Sequence, residues 1–428
     1  MTDIFRELKA RDLVALSTDE EALQQALNAG PVSFYIGFDP TAPSLHMGNL
    51  VQLLFARRLQ LAGHNPYALV GGATGLIGDP RMSGERTLNE RDVVEGWVEK
   101  IRAQIERFLD VDGPHAAQLV NNLDWTGEIS TIDFLRDIGK HFSVNRMLAK
   151  ETVAARLQSE HGISFAEFAY QILQGNDYLE LYRRYGITLQ HGGSDQWGNL
   201  TAGADLIRRV ERTSVHAMAT PLMTKADGTK FGKTESGTVW LDPELTSPYA
   251  FSQFWLNADD RDVMKFLKVF SFRSLEELEQ IGEEFAAAPH KRIAQRALAE
   301  DVTTLVHGEQ TTRQVFAAAK ALFGSGELAA LDPGTLGSAT AELPGTQVPA
   351  AEVSAGMPVA DAFAASGIVK SKGEARRAIK DGGAYVNNVK VSDGEQTITT
   401  DDVLDAGGHG VVLLRRGKKT LGALSVTR

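Results

Sequence analysis

Four strand-like apolar runs, Val32–Phe38, Tyr67–Val70, Gln118–Asn121 and Thr188–Gln190, recur between Val32 and about Thr220 with helical patterns between them. That alternation is the pattern of βαβ units built around a parallel sheet, and it constrains the fold more than any other feature of the chain. One of the intervening helices is clear. From Asp92 to Asp110, the residues Val94, Trp97, Val98, Ile101, Ile105, Phe108 and Leu109 fall on one face at i, i+3, i+4 spacing, and Asn89 stands where it can cap the start. An α/β fold with a parallel sheet is therefore expected over residues 1–247, with a short helical segment at its N-terminus.

Beyond that region the pattern changes. From about Pro248 to Leu322 strand signals vanish and amphipathic helices follow, including Arg261–Phe270 and Ser274–Phe285. Residues 324–358 are rich in Gly, Pro, Ala, Ser and Thr without periodicity and read as a flexible linker. The last part, 359–428, reads as a small α+β module. The expected division is thus 1–247, 248–323, 324–358 and 359–428, with no internal repeat. A chain of 428 residues can supply a core for each of two or three such domains.

Composition narrows the chemistry. The absence of Cys excludes disulfides, thiol catalysis and cysteine zinc sites. No apolar run approaches membrane-spanning length, and the N-terminus lacks the apolar stretch of a signal peptide, so a cytoplasmic protein with no membrane partner is expected. A net charge of −11 argues against a general nucleic-acid binder. The charge is uneven, however. Residues 351–428 hold 11 Lys/Arg and 9 Asp/Glu, a balance of +2 that leaves −13 for residues 1–350. A tail more basic than its acidic body can bind nucleic acid locally.

Two segments look built for phosphate. In the first, the strand ending at Phe38 runs into a turn with Pro40 and Pro43, and a helix opens at His46-Met47-Gly48-Asn49. The free backbone N–H groups and dipole of such a helix start favour an anion. The second is the basic, glycine-containing loop Lys230-Phe231-Gly232-Lys233-Thr234. Two lysines on a loop and a histidine at a helix start can hold one triphosphate from two sides. A third glycine-rich stretch, Gly71 to Pro80, matches neither a dinucleotide fingerprint nor a P-loop. It follows a strand, where open α/β sheets bind ligands, and makes Asp79 a candidate for a cationic substrate group. Taken singly, each residue has an ordinary explanation. His46 alone is a helix-start histidine, Lys230 and Lys233 are solvated, Asp177 and Asp195 are caps or turn residues, and Tyr35 and Tyr170 are packing residues. His141 and Trp197 are read as structural.

The order of the motifs overrides those explanations. Tyr35-Ile36-Gly37-Phe38-Asp39-Pro40-Thr41, His46-Met47-Gly48-Asn49, Gly71 to Pro80, Gln174-Gly175-Asn176-Asp177, Gly192 to Asn199 and Lys230 to Thr234 stand in the order and spacing of the bacterial tyrosyl-tRNA synthetases. The chain resembles that family over essentially its whole length. The resemblance implies a class I aminoacyl-tRNA synthetase, normally a homodimer, with a Rossmann-like catalytic domain. Such an enzyme joins L-tyrosine to ATP as tyrosyl-adenylate, releases pyrophosphate and then passes tyrosine to the 3′ end of tRNA(Tyr). When the carboxylate attacks the α-phosphate in line, negative charge builds on the departing pyrophosphate, and fixed donors and cations are needed there more than a general base.

By this resemblance, Thr41 and His46 contact the γ-phosphate side. Lys230, Lys233 and Thr234 close over the pyrophosphate, and Arg86 assists. The tyrosine ammonium falls to Asp79, Tyr170 and Gln174, and the phenolic hydroxyl to Tyr35 and Asp177. Gln196 faces the reacting carboxyl group. Gly37, Asp39, Gly193 and Asp195 line the ribose, and Gly48 and Asn49 belong to the nucleotide site. Mg²⁺ is expected to arrive with ATP, since no residue cluster suggests a protein-built metal cage.

The chain departs from the family in places. Asn49 replaces a frequent second His, and its amide still donates to phosphate or ribose. The run Pro80-Arg81-Met82-Ser83-Gly84-Glu85-Arg86 differs from the family's, so its mobile lysine has no fixed equivalent; Arg81 is a candidate for that charge, though it stands earlier in the run. Asn176 and Leu123 stand where aromatic residues are common. In the tail, Ser371 to Lys380 followed by Gly382 to Lys390 is similar to the S-four-type RNA-binding domain. Arg376, Arg377 and Lys380 share a helix face suited to the phosphates of structured RNA. The segment 248–323 would approach the anticodon. Two rivals stay open: a tryptophanyl-tRNA synthetase, which Tyr35 with Asp177 argues against because an indole N–H needs only an acceptor, and a non-catalytic RNA-binding relative of the same fold.

Overall fold

The computed structural model describes residues 3–81, 84, 89–229, 231–234, 237–324 and 326–427. Arg86 and Lys230 lie outside the described residues, as does the side chain of Thr234. The chain forms two compact units, one of residues 1–242 with 259–294 and one of residues 243–258 with 295–428.

The first unit is built on a six-stranded sheet of β1 (Leu16–Ser17), β2 (Ser33–Phe38), β3 (Asn65–Val70), β4 (Gln118–Asn121), β5 (Leu189–Gly193) and β6 (His216–Thr220), in the order β1-β6-β5-β2-β3-β4. All neighbours are parallel except β1, which runs antiparallel to β6 along one edge. Phe34, Tyr35, Ile36 and Phe38 of β2 are all buried. A central strand of a parallel sheet is covered on both faces, so both of its side-chain rows must be apolar. The four expected strands are present; β1 and β6 carried no comparable signal.

Five helices of this unit bear on the site: α1 (Met47–Leu61), α2 (Arg91–Ile105), α3 (Glu151–Leu157), α4 (Phe165–Tyr185) and α5 (Trp197–Val210). The helix expected from Asp92 buries Val94, Val98, Ile101 and Ile105 as its spacing predicts, but its N-cap is Glu90, without a side-chain cap bond. Asn89 therefore does not cap it. The helices α6 (Val263–Phe270) and α7 (Leu275–Ala287) also belong to this unit, which places them apart from the other helices of 248–323. The reason is visible in their contacts. Buried Arg11 donates to the carbonyls of Lys268, Ser271 and Arg273, and Arg58 to that of Val269, so the end of α6 is bonded to the body that carries the parallel sheet.

The second unit contains a sheet of β7 (Gly345–Pro349), β8 (Ala384–Val386), β9 (Val389–Lys390), β10 (Gly410–Arg416) and β11 (Thr420–Thr427), ordered β9-β8-β10-β11-β7 with Leu404–Asp405 pairing against β10. The segment expected to be a flexible linker is folded. Within it, Pro333–Ala341 is a helix capped by Asp332, and β7 pairs in parallel with β11 from Gly345 opposite Ala423 to Pro349 opposite Thr427. Its small residues lack periodicity because they are chosen for close packing: Leu336 and Ala339 join Val411, Leu413 and Leu421 in one apolar cluster. Helix α8 (Lys372–Lys380) buries Ala375, Ala378 and Ile379 and leaves Arg376, Arg377 and Lys380 exposed.

Candidate active site

Strand order reverses between β2 and β5, because the chain passes from β2 outward to β3 and β4 on one side and from β5 to β6 on the other. At such a switch point the loops beyond the strand ends part and leave a crevice. A cleft of about 670 Å³ opens there, lined from β2 and its loop by Tyr35, Gly37, Asp39 and Thr41, and from the start of α1 by His46, Gly48 and Asn49. Asp79 lines it after β3, Tyr170, Gln174 and Asp177 from α4, and Gly193, Asp195 and Gln196 after β5. Tyr170, Gln174 and Asp177 share one face because they stand at i, i+4 and i+7 of a continuous helix.

Tyr35 and Asp177 are buried neighbours. Among the described residues the Tyr35 hydroxyl has no hydrogen-bond partner, and burial together with the nearby Asp177 charge raises its pKa well above the ordinary value. Asp177 accepts from Trp125 Nε1 at 2.8 Å and from Asn122 Nδ2 at 3.0 Å. Burial pushes its carboxyl up to about 7, even though these two donors pull the other way. Each carboxylate oxygen has a second lone pair, so an incoming hydroxyl can still donate to it. Both amide hydrogens of Asn122 are used, since it also donates to Thr74 Oγ1 at 2.9 Å, and its oxygen accepts from the Ala73 amide at 2.8 Å. Thr74 in turn donates to Asp39 at 2.7 Å, and Tyr170 donates to the other Asp39 oxygen at 2.7 Å. A single chain of hydrogen bonds thus joins Asp177 to the loop after β2. A side chain at Gly71 would put its Cβ only 2.2 Å from Asp39 Oδ1, which ties that glycine to this network.

Around Asp79 a second polar group gathers. Gln196 Nε2 donates to it at 3.1 Å and Asn199 Nδ2 at 3.4 Å, and Lys150 Nζ stands 3.7 Å away. Lys150 donates to Asn199 Oδ1 at 2.8 Å, and Asn199 donates to Gln196 Oε1 at 2.8 Å. The amide of Gln196 is therefore held with its nitrogen toward Asp79.

His46 caps α1. Its Nδ1 accepts from the Gly48 amide at 3.1 Å, while the Asn49 side chain accepts from the His46 amide at 3.0 Å. With Nδ1 occupied as an acceptor, the proton of the neutral ring is assigned to Nε2, which becomes a donor. Burial first, and the Lys233 charge second, lower its pKa, so it donates as a neutral ring near pH 7. Gly48 is required by this arrangement, since a Cβ there would lie 2.9 Å from the imidazole.

The basic loop is anchored at Phe231, which packs on Phe266 and Phe270 at 5.1 and 5.4 Å between ring centroids. Gly228, Thr229 and Phe231 line the cleft; Lys233 is exposed on a short ribbon, Lys233–Thr234 against Gly237–Thr238, and is not among the lining residues. The structure thus brings the tyrosine and ribose candidates together but leaves Lys233 outside the cleft wall. The network residues Thr74, Asn122, Trp125, Lys150 and Asn199 were missed by the sequence analysis. For Asn122 a signal existed, as a polar pair, Asn121-Asn122, ends β4 at the ligand-binding edge. Lys150 offered none.

Comparison with known proteins now bears on this geometry. Residues 27–324 match the family described as tRNA synthetases class I (W and Y), and residues 341–422 match the tyrosine–tRNA ligase SYY-like C-terminal domain. The second match begins at the end of the helix Pro333–Ala341, just before β7, inside the stretch expected to be a linker. A tyrosine–tRNA ligase of Streptomyces avermitilis is 63% identical, and one of Streptomyces coelicolor 62%, each over 100% of both chains. A solved, C-terminally truncated mitochondrial tyrosyl-tRNA synthetase of Aspergillus nidulans superposes with a TM-score of 0.68 at 27% identity, covering 76% of this chain and 95% of its own. A switch-point cleft that ends in a buried tyrosine–aspartate pair, and relatives this similar along the entire length, place the chain in the tyrosine–tRNA ligase family of the class I tRNA synthetases.

Proposed function

We propose that the cleft activates L-tyrosine with ATP through the residues assigned above, and that the chain then charges tRNA(Tyr). The observation that carries the assignment is the unpartnered, buried Tyr35 hydroxyl facing the same pocket as the Asp177 carboxyl. A phenol supplies what both lack: its oxygen accepts from Tyr35 and its proton goes to Asp177. A site that bonds a substrate hydroxyl rejects the analogue without it, since its own polar groups are then left buried and unpaired, a rule for which tyrosine recognition in this enzyme family is the familiar illustration. The substrate ammonium meets Asp79, Gln174 and the Tyr170 oxygen, while Gln196 faces the carboxylate that attacks the α-phosphate. Asp39, Gly37, Gly193 and Asp195 receive the ribose, with Gly48 and Asn49 beside the nucleotide. Thr41 and the neutral His46 donor stabilise the phosphate end. Lys230, Lys233 and Thr234, with Arg86, neutralise the pyrophosphate as the loop closes, and Mg²⁺ enters with ATP as its counterion.

Pyrophosphate exchange into ATP, run with tyrosine, phenylalanine and tryptophan in turn, tests this. Tyrosine is expected to drive exchange best; fastest exchange with tryptophan would sink the assignment, and none with any amino acid would favour an RNA-binding relative.

The tail is proposed to bind tRNA through Arg376, Arg377 and Lys380, which stand exposed along α8. Reversing two of these charges should weaken tRNA binding and flatten its salt dependence while tyrosine-driven exchange stays unchanged; equal loss of both would contradict it. The helices of 248–323 are proposed to lie toward the anticodon, and the protein to act in the cytoplasm; no described helix is long and apolar enough to cross a membrane. A homodimer is proposed from the apolar side chains left in water on the first unit: Phe165 is 74% exposed, Ile132 68% and Val144 56%. Phe165→Asp is expected to shift a dimer to monomer in sedimentation, and a wild-type protein already monomeric at micromolar concentration would rule the dimer out.

A further inference from the structure

Arg156, on α3, is 1% exposed, a burial that a guanidinium tolerates only when its donors are taken. Every one of its nitrogens is engaged. Nε donates to the Gly162 carbonyl at 2.8 Å, and NH2 to Glu167 Oε2 at 2.9 Å. NH1 reaches the carbonyls of Arg81 at 2.9 Å and Gly84 at 2.8 Å, besides Glu167 Oε1 at 3.2 Å. The two ends of this clamp are functional elements. Arg81 and Gly84, themselves paired as an antiparallel bridge, belong to the chain that leaves Asp79, while buried Glu167 occupies the first turn of the helix that carries Tyr170, Gln174 and Asp177.

We propose that Arg156 is a positioning residue for tyrosine activation. By holding two backbone carbonyls on one side and Glu167 on the other, it fixes the segment that follows Asp79 against α4. A lysine could keep the ion pair with Glu167, but it is a point charge without the planar fork that reaches several carbonyls at once. Asp79 itself has independent support from Gln196, Asn199 and Lys150, and Asp177 is held by Asn122 and Trp125 at the other end of the pocket. Loss of the clamp should therefore spare the binding of tyrosine and impair the step in which tyrosine and ATP react, where small displacements of positioned groups are costly.

The inference rests on the tyrosine assignment above, which wild-type exchange with tyrosine tests separately. For the clamp, full-length Arg156→Lys is compared with wild type by equilibrium dialysis of tyrosine and by single-turnover adenylate formation. The expected result is tyrosine affinity within twofold and a rate reduced about tenfold or more. A second variant, Arg156→Met with Glu167→Met, removes both buried charges together, an exchange that commonly preserves stability. It should melt near the wild-type temperature and still form adenylate slowly. A double variant with the wild-type rate would overturn the proposal, as would an Arg156→Lys protein whose tyrosine affinity falls in step with its rate.

Discussion

Lys233→Ala is expected to slow tyrosyl-adenylate formation by about 100- to 1000-fold, ~3–4 kcal/mol of transition-state stabilisation, with tyrosine affinity unchanged. The charge it would neutralise appears on the pyrophosphate only as the bond to the α-phosphate breaks, so the ground state does not feel its loss. Position supports this division. Lys233 is exposed on its ribbon and stands apart from the cleft wall, yet its charge is close enough to depress the pKa of His46. In the proposed role Lys233 has to be carried to the phosphate by its loop, and Phe231, packed on Phe266 and Phe270, gives that loop a fixed base. Single-turnover kinetics beside a tyrosine titration decides the point: an unchanged rate with intact binding would remove Lys233 from the pyrophosphate site.

Asp177→Asn is expected to lower kcat/KM for tyrosine about 10- to 100-fold and to leave that for phenylalanine nearly as it is, so that discrimination shrinks. A carboxylate has only acceptors, and here it serves Trp125 and Asn122 and, in the proposed site, the incoming phenol as well. An amide would turn an N–H against one of those donors. Protonation does something similar. With a folded-state pKa of about 7, the carboxyl becomes neutral as pH falls through that value, and tyrosine affinity should decline with it. Stability moves in the opposite sense. Between the ordinary value of 3.8 and about 7 the unfolded chain gives up a proton that the folded chain keeps, so this group disfavours folding progressively as pH rises across that window. Relative to wild type, Asp177→Asn should therefore gain stability from pH 4 to pH 7, and a pH-independent difference in melting temperature would show that the carboxyl is ionised throughout.

Parts of the fold were legible because their physics is local. The runs at β2, β3, β4 and β5 are strand-like in themselves, and the α2 pattern needs only its own spacing to reveal a buried face. β6, His216–Thr220, was not legible, since Ala217, Met218 and Ala219 suit a helix as well as a strand and only the neighbouring β5 selects the latter. Residues 324–358 misled for a related reason: small side chains without periodicity describe a linker until β11 offers an edge for Gly345–Pro349 to pair with.

The site divides in the same way. Tyr35, Asp79, Tyr170, Gln174 and Asp177, with His46 and the lysine loop, could be named because the family's motifs recur in this chain in the same order and spacing. What the tertiary structure alone decided is how they are held. Tyr170 meets Asp39 across 131 positions of sequence, Asn122 meets Asp177 across 55, and Arg156 meets Arg81 across 75. Sequence by itself determined the parallel sheet, because strand and helix spacing are local, while resemblance to the family supplied the residues proposed for phosphate, phenol and ammonium. Hydrogen bonds between distant segments carry no periodic trace in the chain, and their geometry exists only once the sheet has brought its loops to one edge.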